Sequence, residues 1–97
     1  MHVVISWDIH GQHHWNEINE KLKACIASHS WVKPLNTLYV VKVWSVQDRD
    51  AIIEAMTNVA RQHPSDVQFL CTPVMTGSSY NGWLPANMWD EINLRTN

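Results

Sequence analysis

The sequence has few cysteines, few charged residues and no long apolar run, and each scarcity excludes a class of protein. Its two cysteines, Cys25 and Cys71, are far apart, so zinc knuckles and CxxC redox sites are absent. Charged residues make up 16% of the chain and the net charge is -2 with neutral histidines. This balance disfavours a protein that coats nucleic acid by charge alone, because such binders have basic patches.

The apolar segment that follows Met1 is about eight residues long, which is too short for a signal peptide or a membrane-spanning helix. A cytoplasmic protein with free thiols, and without a membrane partner, is therefore expected. Tryptophan, in contrast, is abundant, with six residues in a chain of 97. Because Trp is seldom fully buried, some of the six are expected in a subunit interface or a groove.

Apolar periodicity predicts a strand, a helix, two strands, a helix, a strand and a terminal helix. The predicted ranges are 2–9, about 14–28, 31–35, 37–44, 46 to about 62, 67–74, and a short helix after Pro85. Ser45 is the predicted N-cap of the second helix, with Asp48 as its capping partner. This order is typical of the ferredoxin-like α+β fold, with a four-stranded antiparallel sheet. We therefore predict one domain over 1–97, with a βαββαβ core over 1–74 and a C-terminal extension over 75–97.

Strand alternation and helical spacing predict which residues are buried. The strand residues predicted to face the helices are Val3, Ile5, Trp7, Tyr39, Val41, Val43, Val67, Phe69 and Cys71. The helix residues predicted to face the sheet are Trp15, Ile18, Leu22, Ile26, Ile52, Met56 and Val59.

The opposite sheet face would show Val4, Val40 and Leu70 as an apolar patch that water should not contact. A homodimer through this open sheet face would cover the patch, and so would the terminal helix folding back over it. A platform for stacking RNA bases is the third interpretation. It is disfavoured because no paired aromatic residues lie at the centre of the face.

The candidate chemistry lies where the first predicted strand ends, at Asp8. A lone carboxylate holds Mg²⁺ poorly, because this ion prefers several oxygen ligands. A two-fold dimer would bring a second Asp8 close, and two carboxylates around one metal could activate water for attack on a phosphate. The structural alternative is that Asp8 caps the following loop or pairs with Lys42.

Three histidines, His10, His13 and His14, follow Asp8 within a few residues. With Asp8 they could form a zinc or nickel site, or one of them could act as a general acid or base near neutral pH. The simplest alternative is a polar loop that contains histidines by chance.

Several other side chains are weaker candidates. Three basic residues near the predicted sheet could contact phosphate or could simply be solvated: Lys33, Lys42 and Arg49. Tyr80 and Trp83 could stack on a nucleotide, although a structural role is expected first. Ser78 and Ser79 have no base nearby in the sequence, so a serine nucleophile is poorly supported.

Trp7-Asp8-Ile9 at the end of the first strand resembles the opening of the CRISPR-associated Cas-two proteins and the virulence-associated protein D toxins. A closer resemblance is to short bacterial and phage proteins labelled SinR-like. The matching segments are Ser30-Trp31, Leu38-Tyr39-Val40-Val41, and Gly82-Trp83-Leu84-Pro85 with Trp89. The resemblance implies a ferredoxin-like homodimer in which Asp8 faces its dimer mate and holds a divalent metal, Mg²⁺, for phosphodiester cleavage.

The sequence departs from the Cas-two pattern in lacking the basic residues that usually follow this Asp. Its terminal segment also indicates a helix where those proteins add a strand to the partner's sheet. Two functions therefore stay open. One is a Mg²⁺-dependent endonuclease, more for RNA than for DNA, that uses Asp8 with His10 or His14. The other is a non-catalytic dimeric binding or adaptor module in which Asp8 is a relic.

Overall fold

Four strands form one antiparallel sheet, and two helices cover one of its faces. The computed structural model describes residues 1–77 and 80–97. The elements are β1 (His2–Ile9), α1 (Trp15–Ala24), β2 (Trp31–Leu35), β3 (Leu38–Lys42), α2 (Val46–Gln62), β4 (Val67–Cys71) and α3 (Ala86–Thr96). The strand order is β2-β3-β1-β4, with antiparallel pairing between neighbours. This is the predicted ferredoxin-like α+β fold with a C-terminal helix.

The core lies between the sheet and the helices α1 and α2. Seven of the nine strand residues predicted to face the helices are buried, and the other two, Phe69 and Cys71, pack against them while half-buried. The Trp7 ring stacks on the Tyr39 ring, with centroids 4.2 Å apart. Period-two alternation therefore predicted the buried face of the sheet correctly.

Helix α1 is shorter than the sequence pattern predicts. His14 precedes it with a left-handed backbone (φ 65°) and no side-chain cap. After Ala24 the chain continues as turns in which Cys25 and Ile26 donate to carbonyls three residues back. The prediction that Trp15 is buried is wrong. As the first residue of α1 it lies at the rim of the core, and its side chain is 44% exposed.

Helix α2 begins and ends as predicted, and local chemistry explains both ends. The Ser45 hydroxyl accepts a hydrogen bond from the Asp48 backbone N–H at 3.1 Å. The Asp48 carboxylate in turn accepts one from the Trp44 backbone N–H at 2.8 Å. The helix ends at Gln62, two residues before Pro64, which cannot donate a helical hydrogen bond.

Strands β3 and β4 are shorter than the predicted ranges 37–44 and 67–74. Asn36 and Thr37 form a two-residue turn between β2 and β3. The register of β2 against β3 shifts between Val32 and Leu35, where Pro34 has no N–H to donate to the sheet. Beyond β4, the described residues add a backbone hydrogen bond from Thr72 to Val4 and an isolated bridge between Met75 and His2.

Helix α3 covers part of the sheet face opposite α1 and α2. It packs against β3 and β2, and both Val40 and Ile92 are buried. The terminal helix therefore explains how the β2–β3 half of the open face avoids water. The β1–β4 half stays uncovered near the end of β1, where Leu70 is 75% exposed. Within the described residues, none of the helices has the length and apolar character needed to cross a membrane.

Candidate functional site

Asp8 lies next to the end of β1, on the sheet face opposite α1 and α2. Its register partner on β4 is Gln68, and the next residue on the same face of β4 is Leu70. The Asp8 side chain is exposed, and it forms no hydrogen bond or ion pair with the residues that the structure describes. Its carboxylate is therefore available to a ligand.

Neither structural alternative for Asp8 holds. Lys42 pairs in register with His2, at the other end of β1. Six residues of strand separate His2 from Asp8, a distance of roughly 20 Å, so an Asp8–Lys42 ion pair is excluded. The Lys42 ammonium instead lies 4.7 Å from the centroid of the Trp44 ring. The predicted loop cap is likewise not formed by the described residues.

Two cavities border Asp8. The first, here called the Trp15 cavity, has a volume of about 280 Å³ and lies between the start of α1 and the β2–β3 turn. It is lined by Trp7, Asp8, Ile9, His10, Trp15, Asn19, Lys33, Asn36 and Thr37. The second measures about 250 Å³ and lies over the uncovered part of the sheet, between β1 and β4. Trp7 and Asp8 line both cavities, so Asp8 is accessible from two sides.

Of the three candidate histidines, only His10 shares a cavity with Asp8. Its Nε2 lies 3.3 Å from the Gln68 Oε1, and its backbone N–H donates to the Asp66 carbonyl at 2.6 Å. His14 faces α1, with Nδ1 3.4 Å from the Glu17 carboxylate. Neither His13 nor His14 lines either cavity. The structure therefore brings Asp8 and His10 together and leaves His14 apart.

The predicted zinc or nickel site is not formed within one chain. No group of three or more His, Cys, Asp and Glu side chains converges among residues 1–77 and 80–97. The donors that do lie side by side are oxygens, from the Asp8 carboxylate and the Gln68 amide. Two chains would supply four such side chains, and oxygen donors of this kind fit Mg²⁺ better than zinc.

Lys33 is the one predicted basic residue that lies near Asp8. It lines the Trp15 cavity with its ammonium 5.6 Å from the Tyr39 ring centroid, and it forms no ion pair with the described residues. Arg49 is already engaged, because its Nε donates to the Thr72 carbonyl at 2.8 Å. Among the described residues, Lys33 is thus the only one of the three predicted basic residues that lines a cavity with Asp8.

Four lining residues were missed by reasoning from the sequence: Trp15, Asn19, Asn36 and Thr37. Asn19 accepts a hydrogen bond from the Trp7 indole N–H at 3.1 Å, and the Thr37 carbonyl accepts one from the Trp7 backbone N–H at 3.3 Å. The available signal was the break between the predicted strands 31–35 and 37–44, which places Asn36 in a connection. Nothing local shows that this turn meets the start of α1.

The candidates in the C-terminal extension lie away from this site. The Tyr80 hydroxyl is 2.6 Å from the Nε2 of His2, at the opposite end of β1 from Asp8. The Trp83 side chain is almost fully exposed. Ser78 and Ser79, the candidate nucleophiles, lie outside the described residues.

No protein-family model matches the chain, and no curated protein matches it significantly. The resemblance to the Cas-two and virulence-associated protein D families therefore stays a prediction. A functional conclusion has to come from the geometry around Asp8.

Proposed function

We propose that this protein is a Mg²⁺-dependent endoribonuclease of the Cas-two and virulence-associated protein D type, and that it acts as a homodimer. The observation that supports this most is the state of Asp8. Asp8 is exposed at a strand end, and its side chain has no partner among the described residues. What distinguishes Asp8 from a simply solvated carboxylate is that it lines two cavities, one with His10 and one with Gln68.

The proposal assigns a role to Asp8 and to the polar residues His10, Lys33 and Gln68 near it. Asp8 and Gln68 of both protomers would hold Mg²⁺, which supplies water activation and neutralises charge on the phosphate. Lys33 would attract the phosphate with its ammonium group. His10 would exchange a proton with the leaving oxygen, since imidazole suits this task near neutral pH. His14 is a weaker candidate because Glu17 already pairs with it.

The homodimer part of the proposal is supported by Leu70. This residue is 75% exposed on the same sheet face as Asp8, two residues beyond Gln68 on β4. A large apolar side chain on an open sheet indicates a contact surface. A two-fold axis through this part of the face would bring the two Asp8 carboxylates together.

The test is cleavage of RNA and DNA by purified protein with Mg²⁺ or Mn²⁺, comparing wild type with Asp8→Asn. The matched control is Asp90→Asn, which removes an exposed carboxylate from α3. We expect Asp8→Asn to lower the cleavage rate by roughly 100-fold or more, because the metal and the activated water are lost. His10→Gln should lower the cleavage rate by roughly 100-fold, which is the smallest effect typical of losing a general acid or base.

Equal cleavage by wild type and Asp8→Asn would contradict the proposal, and so would a comparable loss in Asp90→Asn. Asp8-dependent cleavage of DNA but not of RNA would support the proposed site and contradict RNA as the substrate.

The second candidate is a non-catalytic dimeric binding or adaptor module. It is favoured by the net charge of -2 and by the lack of a three-ligand metal site in the described part of one chain. Under this alternative, the wild-type dimer would cleave neither RNA nor DNA with either metal.

A further inference from the structure

We propose that the Trp15 cavity binds one unpaired nucleotide of single-stranded RNA, with Trp15 stacked on the base and Lys33 on an adjacent phosphate. The choice of RNA as substrate class rests on the proposed nuclease function. The binding itself requires neither metal nor Asp8, so it can be tested separately.

The position of Trp15 is the first observation that supports this inference. Helical spacing predicts that Trp15 packs in the core, yet the side chain is 44% exposed and forms part of a cavity wall. An indole that is partly exposed beside a cavity offers aromatic surface to a ligand. Such faces stack on unpaired bases, which expose their own π-surface only in single strands.

The second observation is the set of polar groups that line the cavity together with Trp15. Asn19 uses its Oδ1 to accept from Trp7, which leaves its amide N–H groups free to donate. Asn36 and Thr37 add an amide and a hydroxyl from the β2–β3 turn. Donors and acceptors in one small space suit the edge of a nucleobase, which presents both.

The charge in the cavity is the third observation. Lys33 lines it without an ion-pair partner among the described residues. Nucleotides combine an aromatic base with an anionic phosphate, so an exposed indole and a free ammonium in one cavity match both parts. The net charge of -2 shows that this cation is not part of a general basic coat.

The size of the cavity limits the ligand. Its volume of about 280 Å³ lies near the lower end of ligand pockets, which hold roughly 300–1,000 Å³. A space of this size limits the ligand to about one nucleotide. Asp8 also lines the cavity, so a nucleotide held there would lie beside the strand end that carries the proposed catalytic residue.

The chain offers a matched control at the other end of the sheet. Trp44 is also exposed, and Lys42 lies 4.7 Å from its ring centroid. Neither residue lines the Trp15 cavity or the cavity over the sheet. If any surface Trp with a nearby Lys sufficed for binding, the two pairs would behave alike.

The experiment measures binding of fluorescein-labelled octamers of A, C, G and U by fluorescence anisotropy, in EDTA so that no cleavage occurs. Wild type is compared with Trp15→Ala, Lys33→Gln, Trp44→Ala and Lys42→Gln. We expect Trp15→Ala to weaken binding of the preferred octamer by about 5- to 100-fold, the range of one base–aromatic stack. Lys33→Gln should reduce the slope of log K against log salt by about 0.7, the value for one phosphate contact with a single strand.

Several results would overturn the inference. They are no binding of any octamer by wild type, equal losses in the Trp15 and Trp44 variants, and an unchanged salt slope in Lys33→Gln. Free nucleoside monophosphates that bind as tightly as the octamer would also overturn it, since the ligand would then be a nucleotide rather than a strand. Lys33 is exposed, so its variant keeps the test valid if Trp15→Ala proves unstable.

Failure of this inference is distinguishable from failure of the proposed function. RNA bound by wild type in a Trp15-dependent manner but never cleaved would support the cavity and contradict the nuclease. Asp8-dependent cleavage with normal binding by Trp15→Ala would support the nuclease and contradict the cavity. Asp8→Asn should bind the octamer at least as tightly as wild type, because it removes a negative charge from the cavity.

Discussion

At the scale of single residues, two side chains on the same face of β1 have opposite environments. Asp8 is exposed, whereas His2 is fully buried. The Nε2 of His2 lies 2.6 Å from the Tyr80 hydroxyl, and its Nδ1 has no hydrogen-bond partner among the described residues. Burial lowers the pKa of His2 below its ordinary value of 6.5, and the positive N-terminus of Met1 lowers it further. The fold therefore favours neutral His2.

This lowered pKa predicts a pH-dependent stability. The unfolded chain binds a proton at His2 more readily than the folded chain. The stability that depends on neutral His2 is therefore fully present above about pH 6.5. It is lost as the pH falls from there through the lowered pKa of His2 in the folded state. Each pKa unit of lowering corresponds to about 1.4 kcal/mol.

The measurement is urea unfolding of wild type and His2→Phe at pH 8 and pH 5. We expect wild type to lose more unfolding free energy between these two values than the variant, because Phe cannot be protonated. The other histidines are shared by both proteins and cancel in the comparison. A variant with the same or greater loss would show that His2 is not the group responsible.

At the scale of elements, α3 covers part of the open sheet face, which a partner chain would otherwise have to cover. It packs on the β2–β3 half of the sheet, where it buries Val40 and Ile92. Leu94 lies only two residues from Ile92 on the same helix but is 67% exposed. Substitutions at Ile92 and Leu94 therefore distinguish the loss of packing against the sheet from the loss of an apolar side chain as such.

We expect Ile92→Ala to lower the unfolding free energy by about 2–5 kcal/mol, because it removes buried methyl groups and leaves a cavity. Leu94→Ala, the control, should change it by about 0.5 kcal/mol or less. Chemical unfolding followed by circular dichroism measures both. Similar effects in the two variants would show that α3 does not pack through Ile92.

At the scale of the whole molecule, the uncovered β1–β4 half of the sheet is where a second copy is proposed to bind. Leu70 is the most exposed apolar residue of that half, and it borders the same cavity as Asp8. Association there would cover Leu70 and complete a site that one chain supplies only in part.

Leu70→Glu is therefore expected to convert a dimer into a monomer and to lower cleavage together with it, because a buried unpaired charge at a two-fold contact is costly. Val46→Glu is the control, since Val46 is also more than half exposed but lies at the start of α2. Analytical ultracentrifugation gives the oligomeric state. A wild-type protein that cleaves RNA as a monomer would contradict this arrangement.

Local patterns in the sequence were sufficient to predict the fold. Alternation of apolar residues along the strands, helical spacing around Leu22 and Met56, the Ser45 cap and the stop before Pro64 all act within a few residues. Their effects do not depend on what the rest of the chain does. The element order and most of the core follow from them, and so does the place of Asp8 at the end of β1.

The surroundings of Asp8 depend on packing between segments that are far apart in the chain. His10 lines the cavity and His14 does not, because the backbone turns sharply at His14 before α1 begins. Lys33 and Asn36 reach the same cavity only because β3 pairs with β1 and brings the β2–β3 turn beside the start of α1. Periodicity reports which side of an element is apolar, but distances across elements are set by the assembled core. For that reason the candidate carboxylate is evident in the sequence, whereas the Trp15 cavity exists only in the folded chain.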